Sequence, residues 1–260
     1  MNRIFTWAAI LFVASGCNLS SLEDTIVVPD VDDEFYLDFW EVLTPQGRYL
    51  EFRLRTIADE PCLNSTIDYE FRQTNRELSI SINEIIREEG CVAGEAPATA
   101  SIRSYSPLPG GFYPLFVDLR DKVTSEGQMV ITSGAYNVSL DEGGGIILLR
   151  PELLRIPDES IWGYVFYEDD VLEPVAAEFL AKLQSISKAR SLSTGYYGYF
   201  LIDNNGVLKF TNQAAPANAQ TFTYRFDGDK AALISLLEEY RSNYGEALEV
   251  KIFNTLGEEF

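Results

Sequence analysis

Leu50-Glu51-Phe52-Arg53-Leu54-Arg55 alternates apolar and charged side chains without a break. Successive side chains of a strand point to opposite faces, so this stretch reads as a strand with one buried and one wet face. The pattern repeats on both sides. Ile67, Tyr69 and Phe71 alternate with Asp68, Glu70 and Arg72, and Leu78, Ile80 and Ile82 alternate with Ser79, Ser81 and Asn83. Ala100 and Ile102 follow, then Tyr113, Leu115, Val117 and Leu119, and later Tyr136, Val138 and Leu140. No helical stripe of useful length precedes Pro151. About eight half-buried strands separated by turn residues fit two antiparallel sheets packed face to face. Residues 35–150 are therefore expected to form a β-sandwich domain.

Leu108-Pro109-Gly110-Gly111-Phe112-Tyr113-Pro114-Leu115 resembles the turn and tyrosine that lead into a late strand of immunoglobulin-like domains. The resemblance implies an Ig-like sandwich in which the Tyr113 hydroxyl bonds backbone across the corner. No cysteine stands two residues after Tyr113, so the antibody-type bridge is not implied. Asp141-Glu142-Gly143-Gly144-Gly145 lacks a phosphate-loop lysine and reads as a hairpin turn.

Pro151–Ser160 reads as a linker, and beyond it the periodicity changes. Ile161–Tyr167 is an aromatic-rich strand. Leu172, Val175, Ala176, Phe179, Leu180 and Leu183 recur at helical spacing, with Pro174 near the start. Tyr196–Ile202, Val207–Thr211 and Thr221–Phe226 read as strands. Leu233, Leu236, Leu237 and Tyr240 form a second helical stripe, and Ala247–Phe253 a last strand. This order resembles a ferredoxin-like βαββαβ unit with one extra strand, so residues 161–260 are expected to be a second, α+β domain. On such a sheet Trp162, Tyr164 and Phe166 share one face, and Tyr197 and Tyr199 join them if the register matches. That aromatic patch is the candidate binding face. Its expected cover is the sandwich, the extra hairpin or a partner protein, with a sugar or peptide platform as the other use.

Composition limits the chemistry. The chain has 20 Lys and Arg against 40 Asp and Glu, a net charge of −20. Such a surface is a poor partner for nucleic acid, whose binding relies on basic side chains. There is no histidine. Ser-His-Asp and Cys-His nucleophile systems, HExxH zinc chemistry and His-based metal triads are thereby excluded. No cofactor motif is read, and the carboxylates around Pro29 fit no calcium loop. Paired carboxylates of the glycoside hydrolase kind stay open, with Asp169 and Asp170 as nominees.

Of three cysteines, Cys62 and Cys91 form an even pair that reads as a disulfide; free thiols or a metal pair are the alternatives. Closing that loop of roughly 30 residues should stabilise by about 3–4 kcal/mol. The third, Cys17, ends Ala14-Ser15-Gly16-Cys17 after the basic Arg3 and an apolar run from Ile4 to Val13. This stretch resembles a bacterial lipoprotein signal. The resemblance implies a signal peptide over 1–16, a lipid on Cys17, an acidic tether over 17–34 and a place on the outer membrane or cell surface. The functional expectation is a non-catalytic envelope module that binds or assembles a protein or glycan partner.

Overall fold

The computed structural model describes residues 31–74, 77–87, 90–211, 216 and 218–260. Cys17 and the expected signal peptide lie outside the described residues, as does most of the tether.

Ten strands make up the first half among the described residues. They are β1 (Val31–Thr44), β2 (Gly47–Cys62), β3 (Thr66–Gln73), β4 (Leu78–Ile86), β5 (Ala93–Arg103), β6 (Gly111–Leu119), β7 (Val123–Ile131), β8 (Ala135–Leu140), β9 (Gly144–Leu148) and β10 (Glu152–Leu154). All belong to a single sheet in the order β10-β8-β7-β6-β4-β3-β5-β2-β1-β9. The sheet is mixed: β9 runs parallel to β1, β6 to β4 and β3 to β5. The alternation decides which side chains go inward. Phe35, Leu37 and Phe39 of β1 share a core with Leu50, Phe52 and Leu54 of β2, Ile80 of β4, Val117 of β6 and Met129 of β7.

Here the expected Ig-like sandwich is corrected. The core is enclosed by one sheet rolled into a half-barrel, not by two sheets facing each other. Strand twist accumulates across a sheet this wide and curls it until its inner face meets itself. A period of two says that each strand has one buried face. It does not say whether the opposing face belongs to a second sheet or to the far side of the same one. Tyr113 does donate from its hydroxyl to the Pro109 carbonyl at 2.9 Å, but this bond ties a corner of the rolled sheet.

The two end strands are neighbours in sequence. The segment Gly144–Leu154 supplies β9 beside β1 and then β10 beside β8, so it lies along the seam where the sheet's ends approach. Leu149 N–H donates to the Leu37 carbonyl at 2.9 Å, and Val138 N–H to the Pro151 carbonyl at 2.8 Å. Gly144 lets the segment lie close there, because a Cβ at that position would displace the Ser125 hydroxyl of β7.

The second half contains β11 (Ser160–Tyr167), α1 (Glu173–Ser185), β12 (Lys188–Ala189), β13 (Gly195–Tyr196), β14 (Phe200–Ile202), β15 (Leu208–Phe210), β16 (Ala219–Arg225), α2 (Lys230–Tyr244) and β17 (Leu248–Asn254). Strands β12, β16, β11 and β17, in that order, form an antiparallel sheet. Both helices cover one face of it. α1 presents Ala176, Phe179 and Leu183, and α2 presents Leu233, Leu236, Leu237 and Tyr240, all against Val165 and Val250. The Asp229 side chain caps α2 by accepting from Ala231 N–H at 2.9 Å. Gly245, at φ 56°, ends the helix.

The expected βαββαβ unit is corrected as well. Five described strands separate the helices where that unit has two, and β13, β14 and β15 leave the main sheet to form a sheet of their own. The described residues are mostly strand, with two α-helices among them.

Candidate functional site

The aromatic face foreseen on β11 exists, and it is covered. Trp162 is 1% exposed and Tyr164 5%, while Phe166 is half-buried. Tyr197 and Tyr199 do not extend the same sheet. They come from the small sheet and its turn, which lie over that face from the opposite side. Trp162 meets Tyr199 at 5.7 Å and Phe200 at 5.6 Å between ring centroids, and Tyr164 meets Phe210 at 5.6 Å. Tyr199 then carries the contact into the rolled sheet. Its ring lies 5.1 Å from that of Trp40, and its hydroxyl accepts from Leu43 N–H at 3.1 Å. Burial raises the pKa of the Tyr199 and Tyr197 phenols. Burial, then the neighbouring Glu249, pushes Tyr164 up to about 12. Gly163 is needed between Trp162 and Tyr164, because a Cβ there would strike the Lys251 carbonyl on β17 and the Phe222 ring.

A second polar centre went unread in the sequence. Glu41 is 2% exposed. Its carboxylate accepts from Arg48 Nη1 at 2.9 Å, Arg155 Nε at 3.0 Å and the Tyr136 hydroxyl at 2.7 Å. Arg48 reaches on to Asp158 at 2.6 Å. Desolvation, reinforced by Glu41, raises the Tyr136 pKa. Both carboxylate oxygens are occupied, so the group holds β1, β8 and the chain after β10 together; a proton-transferring acid would need a free oxygen. The signal was present: Glu41 occupies an inward position in the run Phe35, Leu37, Phe39, Glu41, Leu43, where alternation calls for an apolar side chain.

Asp169 and Asp170 are exposed, and Asp169 caps the short turn before α1 by accepting from Val171 N–H at 3.0 Å. A cleft of about 220 Å³ elsewhere holds two other carboxylates, Glu159 and Glu258, above Ile161, Phe226, Leu233 and Leu256. Each is already engaged, Glu159 with Arg225 at 2.7 Å and Glu258 with Lys230 at 2.6 Å. The hydrogen bond from Lys230 lowers the Glu258 pKa. A general acid needs the opposite shift.

The Cys62–Cys91 disulfide is formed, with Cα atoms 5.3 Å apart. It staples one rim of the half-barrel, where β2 ends and β5 begins. This rim is conspicuous for what it exposes. Ile57 is 36% exposed, Leu63 52%, Ile86 38% and Val92 53%. A cleft of about 210 Å³ opens there between Phe35, Ile57, Ala58 and Ile85. Glu60 at its edge is held by Arg87 at 2.7 Å. β1 begins at the same rim, since Phe35 pairs with Thr56. Sequence reading found the staple but not the rim, because exposure of an apolar side chain at a strand end leaves no periodic trace.

Among the described residues no group of three His, Cys, Asp or Glu side chains is placed to hold a metal. No described helix is long and apolar enough to cross a membrane. Comparison with known proteins finds no matching family model, curated protein or solved structure.

Proposed function

We propose that the chain is a lipid-anchored envelope module that docks a partner protein without catalysing a reaction. The observation that supports this reading best is the stapled apolar rim. Ile57 stands in water at a small cleft, and Leu63, Ile86 and Val92 are exposed near the same stapled end of the sheet; exposed aliphatic side chains gathered in this way commonly mark a contact surface. A disulfide holding such a rim in shape lowers the ordering cost of binding. The lipid is assigned to Cys17. Because β1 starts at the rim, the docking surface faces the side from which the tether arrives. The net charge of −20 argues against nucleic acid and against anionic headgroups as the thing bound. A sugar platform on Trp162, Tyr164 and Phe166 has no support, since the small sheet lies over Trp162 and Tyr164.

The test pairs two variants in cells. Cys17→Ser should release the chain from the membrane fraction. Leu63→Glu with Val92→Glu should leave fractionation and disulfide intact but abolish crosslinks to envelope proteins. Retention of the Cys17→Ser chain on the membrane overturns the anchor, and unchanged crosslinking by the rim variant overturns the docking surface.

A further inference from the structure

The small sheet that lies over Trp162 carries the sequence's only Asn-Gly pair, Asn205-Gly206. The pair sits in the turn between β14 and β15, where residues 204–207 are exposed. Gly206 has φ 78°, in the left-handed region that favours glycine, while a Cβ there would meet open space. The path of the backbone, not crowding, therefore calls for glycine at 206. Glycine also leaves its backbone nitrogen least screened from the asparagine side chain before it. The turn thus demands the one neighbour that makes Asn205 chemically vulnerable.

The same turn holds that vulnerability in check. Gly206 N–H donates to the Asp203 carbonyl at 2.9 Å, and Asp203 N–H donates to the Val207 carbonyl at 3.0 Å. Asp203 Oδ1 accepts from Asn205 N–H at 2.9 Å and from Val207 N–H at 3.0 Å. Lys209 Nζ lies 2.9 Å from the other carboxylate oxygen, and its hydrogen bond lowers the Asp203 pKa. One residue therefore accepts the amide protons of Asn205, Gly206 and Val207. The nitrogen that would attack Asn205 is engaged for as long as the turn stays closed.

We propose that Asn205 is a site of spontaneous modification, deamidated by the Gly206 backbone nitrogen only while the turn is open, with Asp203 as its guard. In the open turn the Gly206 nitrogen loses its proton to water and bonds to the side-chain carbonyl carbon of Asn205. That carbon releases its amide nitrogen, which takes up a proton from water and leaves as ammonia. The product is a cyclic imide. Water then opens the imide at either carbonyl. One opening leaves aspartate at 205, and the other leaves isoaspartate, with the backbone rerouted through the former side chain. Either product puts a second negative charge beside the Asp203 carboxylate. Isoaspartate also lengthens the backbone by a carbon between Asp203 and Val207, so their mutual hydrogen bonds lose register. Phe200 of β14 packs on Trp162 and Phe210 of β15 on Tyr164. Conversion therefore loosens the cover of the aromatic face.

The test incubates the full mature chain at neutral pH beside an acetylated, amidated peptide of residues 203–208. Mass mapping follows deamidation at 205, and hydrogen exchange follows the Gly206 amide. Both reactions need the same N–H set free. Deamidation in the folded chain should therefore be slower than in the peptide by the factor that protects the Gly206 amide, roughly tenfold or more. Asp203→Ala should raise both rates together by roughly tenfold, because hydrogen bonds to a carboxylate are lost. Asp203→Asn keeps an acceptor oxygen and should keep most of the guard. Exchange along β11 shows whether each variant retains its fold, and the comparison of wild-type chain with peptide needs no variant at all. Equal deamidation of chain and peptide overturns the proposal. So does a rate at 205 far below the one that Gly206 opening sets, which would remove Asn205 as the site. An Asp203→Ala chain that keeps β11 protected and deamidates no faster overturns the role of Asp203.

Discussion

β2 and β11 are both central strands, and they are buried in different ways. Along β2 the inward residues Leu50, Phe52 and Leu54 are about 1% exposed or less, while Glu51 and Arg53 stay half-exposed on the other face. Along β11 every residue from Ser160 to Val165 is buried. Val165 faces the helices and Trp162 faces the small sheet. One-sided burial leaves its mark in the sequence, because water on the other face keeps that face polar. Two-sided burial removes the mark. A continuously apolar strand says only that something covers each side.

The sharpest way to break this comparison is to empty the second face of β11. Trp162→Ala should destabilise the chain by about 3–5 kcal/mol, as for other buried aromatic truncations. The loss should extend into the rolled sheet, because Tyr199 links Trp162 to Trp40. Denaturant unfolding resolved by region through hydrogen exchange checks both points. A loss confined to residues 161–260 would mean that the two halves unfold separately.

Next in size is removal of the staple. Cys62→Ser with Cys91→Ser should cost about 3 kcal/mol from the freed loop. Exchange protection should fall first at the ends of β2 and β5 and should hardly change along β11. Equal losses in the two regions would show that the disulfide serves the whole chain.

Glu41→Gln should cost about 1.5–3 kcal/mol, the range for hydrogen bonds to charged groups. The amide oxygen can keep one arginine, while the amide NH₂ turns a donor toward the other. The check is a thermal melt paired with the variant Glu41→Gln/Arg155→Met. A double variant that recovers part of the loss would show that the stranded guanidinium, and not the carboxylate itself, is the costly element.

The smallest effect is a pH limit. Tyr164, Tyr197 and Tyr199 all have folded pKa values above the ordinary phenol value. Unfolded tyrosines ionise near pH 10. The stability these groups contribute is therefore complete below about pH 10 and declines as pH rises toward the folded values. Phenolate absorbance should lag that of free tyrosine and then rise together with unfolding around β11. Early, gradual titration would mean that the small sheet is a loose cover.

These particulars show what could be read in advance. The inward residues of β2, β4 and β6 were legible because each alternates with a polar neighbour. Both helices were legible from their stripes. The joining of the strands was not. Adjacent hairpins look the same whether they end in a second sheet or continue around a roll, and the parallel contacts of β9 with β1 and β6 with β4 have no local signature. Cys62 and Cys91 were legible as the pair left over once Cys17 was assigned. Phe200 and Phe210 were read as parts of strands but not as a cover, because an aromatic residue over another sheet and one inside that sheet share a composition. Glu41 could have been found from its position in β1, where a carboxylate interrupts an inward row.

The order in which the seam is made has a kinetic consequence. β9 pairs with β1 across more than a hundred intervening residues, and β10 pairs with β8 only after the chain has passed through β9. Such distant pairings are slow to form. A chain made from its N-terminus presents β1 to β8 before the segment Gly144–Leu154 exists. Until that segment arrives, the outer edges of both β1 and β8 stand open, and each is a template for pairing with another chain. Synthesis through about residue 154 is the interval in which this protein is most exposed to misassembly. Chains truncated just before Gly144 should collect as aggregates, while those extended just past Leu154 should not.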